Sequence, residues 1–150
     1  MLFCIIFKCL QWNCRGFSSK IKEFSNWICN FDICCLQETW LRPDTITAFA
    51  SYTVFRNDRR NLNGSYVGGT AIICKSVWDP ITFNIDIQVN IGIDVSFVLI
   101  NRLCINNKKV IVCSLYGSPE IYMNKVKWLL ILEEILFSDP ISNCRIPIVC

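Results

Sequence analysis

Histidine is missing from all 150 residues, so no imidazole is at hand within them as acid, base or metal ligand. No C-x-x-C pair occurs among the eleven cysteines, which removes the usual zinc spacing. No apolar stretch reaches the ~18 residues that a membrane-crossing helix needs. Lys8 breaks the run Met1–Phe7, and Glu133 and Glu134 break the run Trp128–Phe137. The first run has no basic residue before it, is very short, and meets Lys8 and Gln11 where a cleavage region belongs. It therefore reads as a first strand rather than a secretory signal. Internal repeats, low-complexity tracts and linkers are absent too. The expectation is an intracellular chain, nuclear or cytoplasmic, neither secreted nor bound to a membrane.

What is present is apolar. The hydrophobic fraction is 53%, above the ~45–50% typical of soluble domains. Strands buried on both faces of an α/β domain read as continuous apolar runs and account for this excess. Cys4, Cys9, Cys34, Cys74, Cys104 and Cys113 sit inside such runs, so they are expected to be reduced, buried thiols acting as small hydrophobes.

Apolar, β-branched and aromatic runs bounded by turn residues predict strands at Cys4–Trp12, Ile33–Gln37, Ser51–Phe55, Thr70–Lys75, Ser96–Ile105, Lys109–Tyr116 and Ile146–Cys150. Thr82–Val95 alternates as a half-exposed strand does, with Gly92 at a bend. Asn106-Asn107-Lys108 predicts a hairpin turn, so the strands beside it pair antiparallel. Ile21, Phe24, Trp27 and Ile28 share a helical face over Ser19–Cys29, with Ser18 or Ser19 as cap. A second helix is expected over Ile121–Phe137, with Pro140 just beyond it, and a short third over Pro43–Phe49 with Asp44 in its first turn.

Two strand ends carry chemistry. Cys4–Leu10 leads into Trp12-Asn13-Cys14-Arg15-Gly16, and Phe31–Leu36 leads into Gln37-Glu38-Thr39-Trp40. With a helix between them this is a strand–helix–strand unit whose polar groups lie at the carboxyl ends of the strands, where open α/β sheets place their sites. A carboxylate such as Glu38 at a buried strand end is costly unless paired or bound to a cation; the plain alternative is a glutamate that opens a loop. Asn13 can orient Glu38 and hold a phosphate oxygen, or cap a turn. Net charge is only +3, but Arg56, Arg59 and Arg60 share one turn-like segment. That segment is suited to backbone phosphates and equally to an ordinary solvated loop.

In this order the motifs resemble the endonuclease/exonuclease/phosphatase superfamily. They lie nearest the apurinic-endonuclease-like domain that opens LINE-type (non-LTR) retrotransposon polyproteins. WNCRG and CLQETWL are followed by YTVFRNDRR from Tyr52, VGGTAII from Val67, VIVCSLY ending at Tyr116, and a helix-like stretch after Trp128. The resemblance spans about Leu10 to Cys150. It implies a four-layer α/β sandwich, two face-to-face mixed sheets flanked by helices. It implies Glu38 and Asn13 at a Mg2+ (or Mn2+) site and Tyr116 at the scissile phosphate. Arg15, Arg56, Arg59 and Arg60 would meet the DNA backbone, and a reverse transcriptase domain would lie downstream in a full polyprotein.

The family's Gly-Asp-Phe-Asn and Ser-Asp-His motifs are not in these residues; Ile146-Pro147-Ile148-Val149 resembles the strand that leads into the first of them. The expectation is the N-terminal portion of such a domain, residues 1–150, cut before its last strands and with little or no nuclease activity in isolation. The complete enzyme would nick DNA to leave a 3′-hydroxyl that primes reverse transcription. The alternatives are a non-catalytic relic or truncated gene model with at most weak nucleic-acid binding, and a phosphatase- or sphingomyelinase-like branch of the superfamily.

Overall fold

The computed structural model describes residues 7–82, 93–105, 108–117 and 147–149. Eight strands form two four-stranded sheets. In the first, β1 (Cys9–Asn13), β2 (Ile33–Gln37), β3 (Tyr52–Asn57) and β4 (Thr70–Lys75) lie in the order β1-β2-β4-β3. β1 and β2 are parallel and the other pairs antiparallel. In the second, β5 (Pro80–Thr82), β6 (Ile93–Ile105), β7 (Lys108–Gly117) and β8 (Pro147–Val149) follow in sequence order. Its first two pairings are antiparallel and its last is parallel. Both sheets are mixed, as expected.

The sheets meet face to face because strand side chains alternate. From the first sheet, Ile33, Cys35, Ile72 and Cys74 pack against Val98, Ile100, Val110 and Val112 of the second. The opposite face of β2 and β4 gives Cys34, Leu36, Ala71 and Ile73 to a second core with Cys14, Phe17, Phe24, Ile28, Leu41 and Phe49. That outer layer is aromatic: Trp12 stacks on Phe24 at 6.2 Å, and Phe24 meets Trp27, Phe17 and Phe49 edge-on. Each fully buried aromatic of this kind contributes about 1.5–3 kcal/mol. The apolar run at the start of β2 is thus divided between two cores, which is why it shows no gaps.

One helix layer is described, and it is shorter than the sequence predicts. The α-helix, α1, covers Ile21–Trp27, with 3-10 turns at Ser18–Lys20 and Ile28–Asn30. Neither Ser18 nor Ser19 caps it: no side chain bonds its first turn, and Lys20 N–H donates to the Phe17 carbonyl instead. A seven-residue helix is not stable alone. It holds because Phe24 and Ile28 are buried on the expected face.

Other expectations are corrected. Pro43–Phe49 is a turn followed by irregular chain, not a helix. The Arg56 guanidinium takes the carbonyls of Arg42 and Thr45 and the Thr47 hydroxyl, and Arg42 N–H lies 3.3 Å from Thr45 Oγ1. Of the half-exposed strand expected over Thr82–Val95, Thr82 ends β5 and Ile93–Val95 open β6; residues 83–92, Gly92 among them, lie outside the described residues. Cys9 and Cys104 are exposed rather than buried. Cys9, Gln11 and Asn13 are exposed and alternate along β1 with the half-buried Leu10 and Trp12. Cys104 follows the register shift in β6. The helix expected at 121–137, the turn at 106–107 and the strand residues at 4–6 lie outside the described residues. Ile105 pairs with Lys108, as a hairpin there requires. Among the described residues no helix is long and apolar enough to cross a membrane.

Candidate active site

The first sheet does not end where its strands end. Beyond β1, the N–H groups of Cys14, Gly16 and Phe17 donate to the carbonyls of Gln37, Glu38 and Thr39 at 2.8–2.9 Å. On the other side, Thr39 and Trp40 N–H reach the carbonyls of Gly69 and Gly68 at 3.3 and 2.9 Å. Residues 37–40 are therefore clamped between two loops. The clamp holds Glu38 and Trp40 in the left-handed region, at φ 51° and 49°, a conformation that costs a side-chain-bearing residue about 1 kcal/mol or more.

Held in this way, Glu38 meets its partners. Asn13 Nδ2 donates to Glu38 Oε1 at 2.7 Å, and the Tyr116 hydroxyl at the end of β7 is directed at the same carboxylate. The three residues singled out by sequence, from strands 25 and 103 positions apart in the cases of Glu38 and Tyr116 relative to Asn13, converge on one point. Burial pushes the Tyr116 phenol up and the Glu38 charge pushes it further, while Arg59 pulls it down. The hydroxyl is thus a proton donor at neutral pH. Nearby Cys14 is no nucleophile: burial raises its thiol to about 11.

Beneath the carboxylate lies a buried polar seam that joins the sheets. Gln37 Nε2 donates to Ser114 Oγ at 3.1 Å, and Ser114 Oγ to the Leu36 carbonyl at 3.2 Å. Thr70 and Ser96 hydroxyls meet at 2.7 Å, and at the seam's exposed margin Asn57 Nδ2 donates to the Val95 carbonyl at 2.9 Å. Asp94, only 3% exposed, accepts from Gly69 N–H at 2.8 Å and lies 3.3 Å from Arg59 Nη1. Burial raises its carboxyl pKa against the pull of both partners. It stands opposite Tyr116 in the β6–β7 register. The sequence reading missed Asp94. Sequence offered no signal to single it out, since Asp94 is one of two carboxylates, with Asp86, in the alternating stretch Thr82–Val95.

The four arginines fare differently. Arg15 is exposed, at φ 43° in the loop after β1. Arg56 uses its whole fork inside the protein. Beyond the loop contacts above, it grips both oxygens of Asp58, at 3.2 Å from Nε and 2.6 Å from Nη2. Arg60 is exposed, donates from Nε to the Gly64 carbonyl and lies over the Tyr66 ring. Arg59 is half-buried beside Asp94.

Glu38 Oε1 and, with Nδ2 committed to Glu38, the Asn13 amide oxygen are hard oxygen donors. They suit a magnesium-like cation, which takes one or two carboxylates and keeps several waters. Among the described residues no group of three or more His, Cys, Asp or Glu side chains could hold a metal. A closed, all-protein cage of the zinc type is therefore not what these residues form.

Comparison with known proteins bears on the fold and the family. Several solved structures share the fold. The 3'-5' exonuclease NExo from Neisseria meningitidis superposes with a TM-score of 0.61 at 18% identity, covering 95% of this chain and 56% of that one. D. rerio TDP2, complexed with a single-strand DNA product, gives 0.56 at 14% identity over 95% and 58%. An AP endonuclease from Archaeoglobus fulgidus gives 0.54 at 20% over 87% and 51%. The chain thus spans little more than half the length of each. No curated protein matches it. The profile of the endonuclease/exonuclease/phosphatase family matches residues 10–138, and the chain belongs to that family.

Proposed function

We propose that residues 1–150 are the N-terminal portion of a divalent-metal-dependent DNA phosphodiesterase, with Mg2+ (or Mn2+) as its ion, Glu38 as the carboxylate ligand and Asn13 as its partner. The observation that carries this is the 2.7 Å Asn13–Glu38 bond at adjacent strand ends, with the Tyr116 hydroxyl near enough to the same carboxylate to feel its charge. A bound cation supplies polarisation of a phosphoryl oxygen and stabilises charge on the leaving oxygen. The chain's own residues supply the positioning. Asn13 fixes the Glu38 rotamer and can turn its amide oxygen to the ion. Tyr116, held neutral, can donate its proton to a phosphate oxygen. Arg15 and Arg60, exposed at the rim, fit backbone phosphates. The DNA-bound or DNA-cleaving relatives named above support nucleic acid as the substrate class.

Within the family, the WNCRG, LQETWL and RNDRR segments favour the retrotransposon branch over phosphatase- or sphingomyelinase-like branches. On that reading the cut serves to expose a 3′-hydroxyl for a reverse transcriptase carried on the same polyprotein, and the site of action is intracellular.

The test is direct. Mn2+ binding to the purified chain is followed by loss of the free-ion EPR signal, with Glu38→Gln and Asn13→Ala beside it. Nicking of supercoiled plasmid is then followed with Mg2+ and Mn2+. Glu38→Gln should abolish binding and Asn13→Ala weaken it, whatever the nicking rate of the isolated chain. Mn2+ binding by Glu38→Gln equal to that of the parent would sink the assignment. Any nicks should be extendable by a polymerase; nicks that are not extendable would remove the priming role while leaving the phosphodiesterase.

A further inference from the structure

Arg59 and Arg56 lie three residues apart and differ in what they have left to give. Arg56 has every N–H engaged within the protein. Of the five N–H donors of Arg59, only Nε makes a hydrogen bond among the described residues, to the Val67 carbonyl at 3.2 Å. Its Nη1 is buried and close to Asp94 but not aligned on it as a hydrogen bond. The head group is nonetheless fixed. Nη1 lies 3.3 Å from Asp94 Oδ2, and Asp94 is itself held by Gly69 N–H at 2.8 Å. Gly68 brings the backbone so close that a Cβ there would fall 2.9 Å from Arg59 Cζ and 2.5 Å from Asp94 Oδ2. The cluster is adjacent to the site: Asp94 pairs with Tyr116 across β6 and β7.

We propose that Arg59 is a phosphate-anchoring residue of this site and that Asp94 is its positioning residue, the clamp that aims the guanidinium at a DNA phosphate beside Glu38 and Tyr116. The proposal rests on the DNA reading above. A planar fork with unspent donors, locked on one side by a carboxylate, is suited to an anionic oxygen on the other. Its orientation is settled before substrate arrives, which lowers the ordering cost of binding.

Simple charge counting predicts opposite signs for the two residues and the proposal predicts the same sign, and that makes the test sharp. A short fluorescein-labelled DNA duplex is titrated with the purified chain at several salt concentrations, and anisotropy is read. Arg59→Gln should weaken binding and lower the salt slope by about one. Arg59→Lys, which keeps the charge but loses the fork, should bind more weakly than the parent with an unchanged slope. Asp94→Asn removes a negative charge from a DNA-facing region, so bulk electrostatics alone would tighten binding; a positioning role weakens it. Circular dichroism checks the fold of each variant, and if Asp94→Asn does not fold, the two Arg59 variants decide. Asp94→Asn binding as tightly as the parent or tighter, or Arg59→Gln with an unaltered slope, overturns the proposal and leaves the DNA reading standing. A parent chain with no salt-dependent binding overturns both.

Discussion

Among the described residues, Gly68 should be the most costly glycine to replace, and the cost divides into two separable parts. Its φ of +68° lies in the left-handed region, so any side chain adds about 1 kcal/mol of backbone strain. A Cβ would also stand 2.5 Å from Asp94 Oδ2 and 2.9 Å from Arg59 Cζ. Neither can retreat freely, because Asp94 is 3% exposed and tied to Gly69 N–H. Overpacking of this kind costs about 1–3 kcal/mol, so Gly68→Ala should destabilise by about 2–4 kcal/mol in all. Gly64→Ala is the control: φ is +81°, but its nearest neighbour is Arg60 Nη2 at 3.1 Å, the far end of an exposed side chain. That variant should lose only the backbone part, about 1 kcal/mol. Urea unfolding followed by tryptophan fluorescence reads both; at an m-value of about 2 kcal/mol/M, Gly68→Ala should move the midpoint by about 1–2 M. Combining Gly68→Ala with Asp94→Ala should recover part of the loss, since the clash partner is gone. If Gly68→Ala lies within about 0.5 kcal/mol of Gly64→Ala, the loop is not wedged against the second sheet and the account of the clamp is wrong.

Two more outcomes follow from the same geometry. Burial holds the Cys14 thiol at about 11 and those of Cys34 and Cys74 at about 12, against 9.0 in the unfolded chain. Above pH 9.0 the unfolded state therefore sheds protons that the native state keeps. The stability due to these thiols is complete below that pH and drains away as pH rises toward 12. Unfolding midpoints measured from neutral to alkaline pH should fall, and Cys34→Ala with Cys74→Ala should flatten the fall; an unchanged slope would contradict it. Arg56→Ala should cost about 2–3 kcal/mol by freeing the 42–47 loop and stranding Asp58, with no change in the salt dependence of DNA binding. A lowered salt slope would place Arg56 among the phosphate contacts after all.

Much of this was legible in the sequence, and the reasons are local. Ile33–Gln37 and Thr70–Lys75 begin and end where the apolar runs do, because each is buried on both faces and flanked by turn residues. The Asn13–Glu38 pair was legible because parallel neighbours joined by a helix must end side by side. The failures are non-local. The Pro43–Phe49 segment has a helical composition, but the guanidinium of Arg56, on a strand that begins later in the chain, captures its carbonyls. Helix α1 is short because Lys20, drawn to the Cys14 carbonyl and the face of Trp12, takes the first turn away from the serines. Asp94 was invisible because its meaning depends on Arg59 and Gly69, which reach it only once two sheets have packed.

The backbone at Glu38 sets fold and chemistry against each other. At φ 51°, glycine or asparagine would sit more comfortably than glutamate. A lineage under selection for folding alone would drift toward one of those two residues at this position, and the carboxylate would be the first part of the site to disappear. Position 38 is therefore a gauge that can be read in any copy of this sequence. On the proposed reading, glutamate there is what the ion requires, and glycine would keep the shape and lose the ligand.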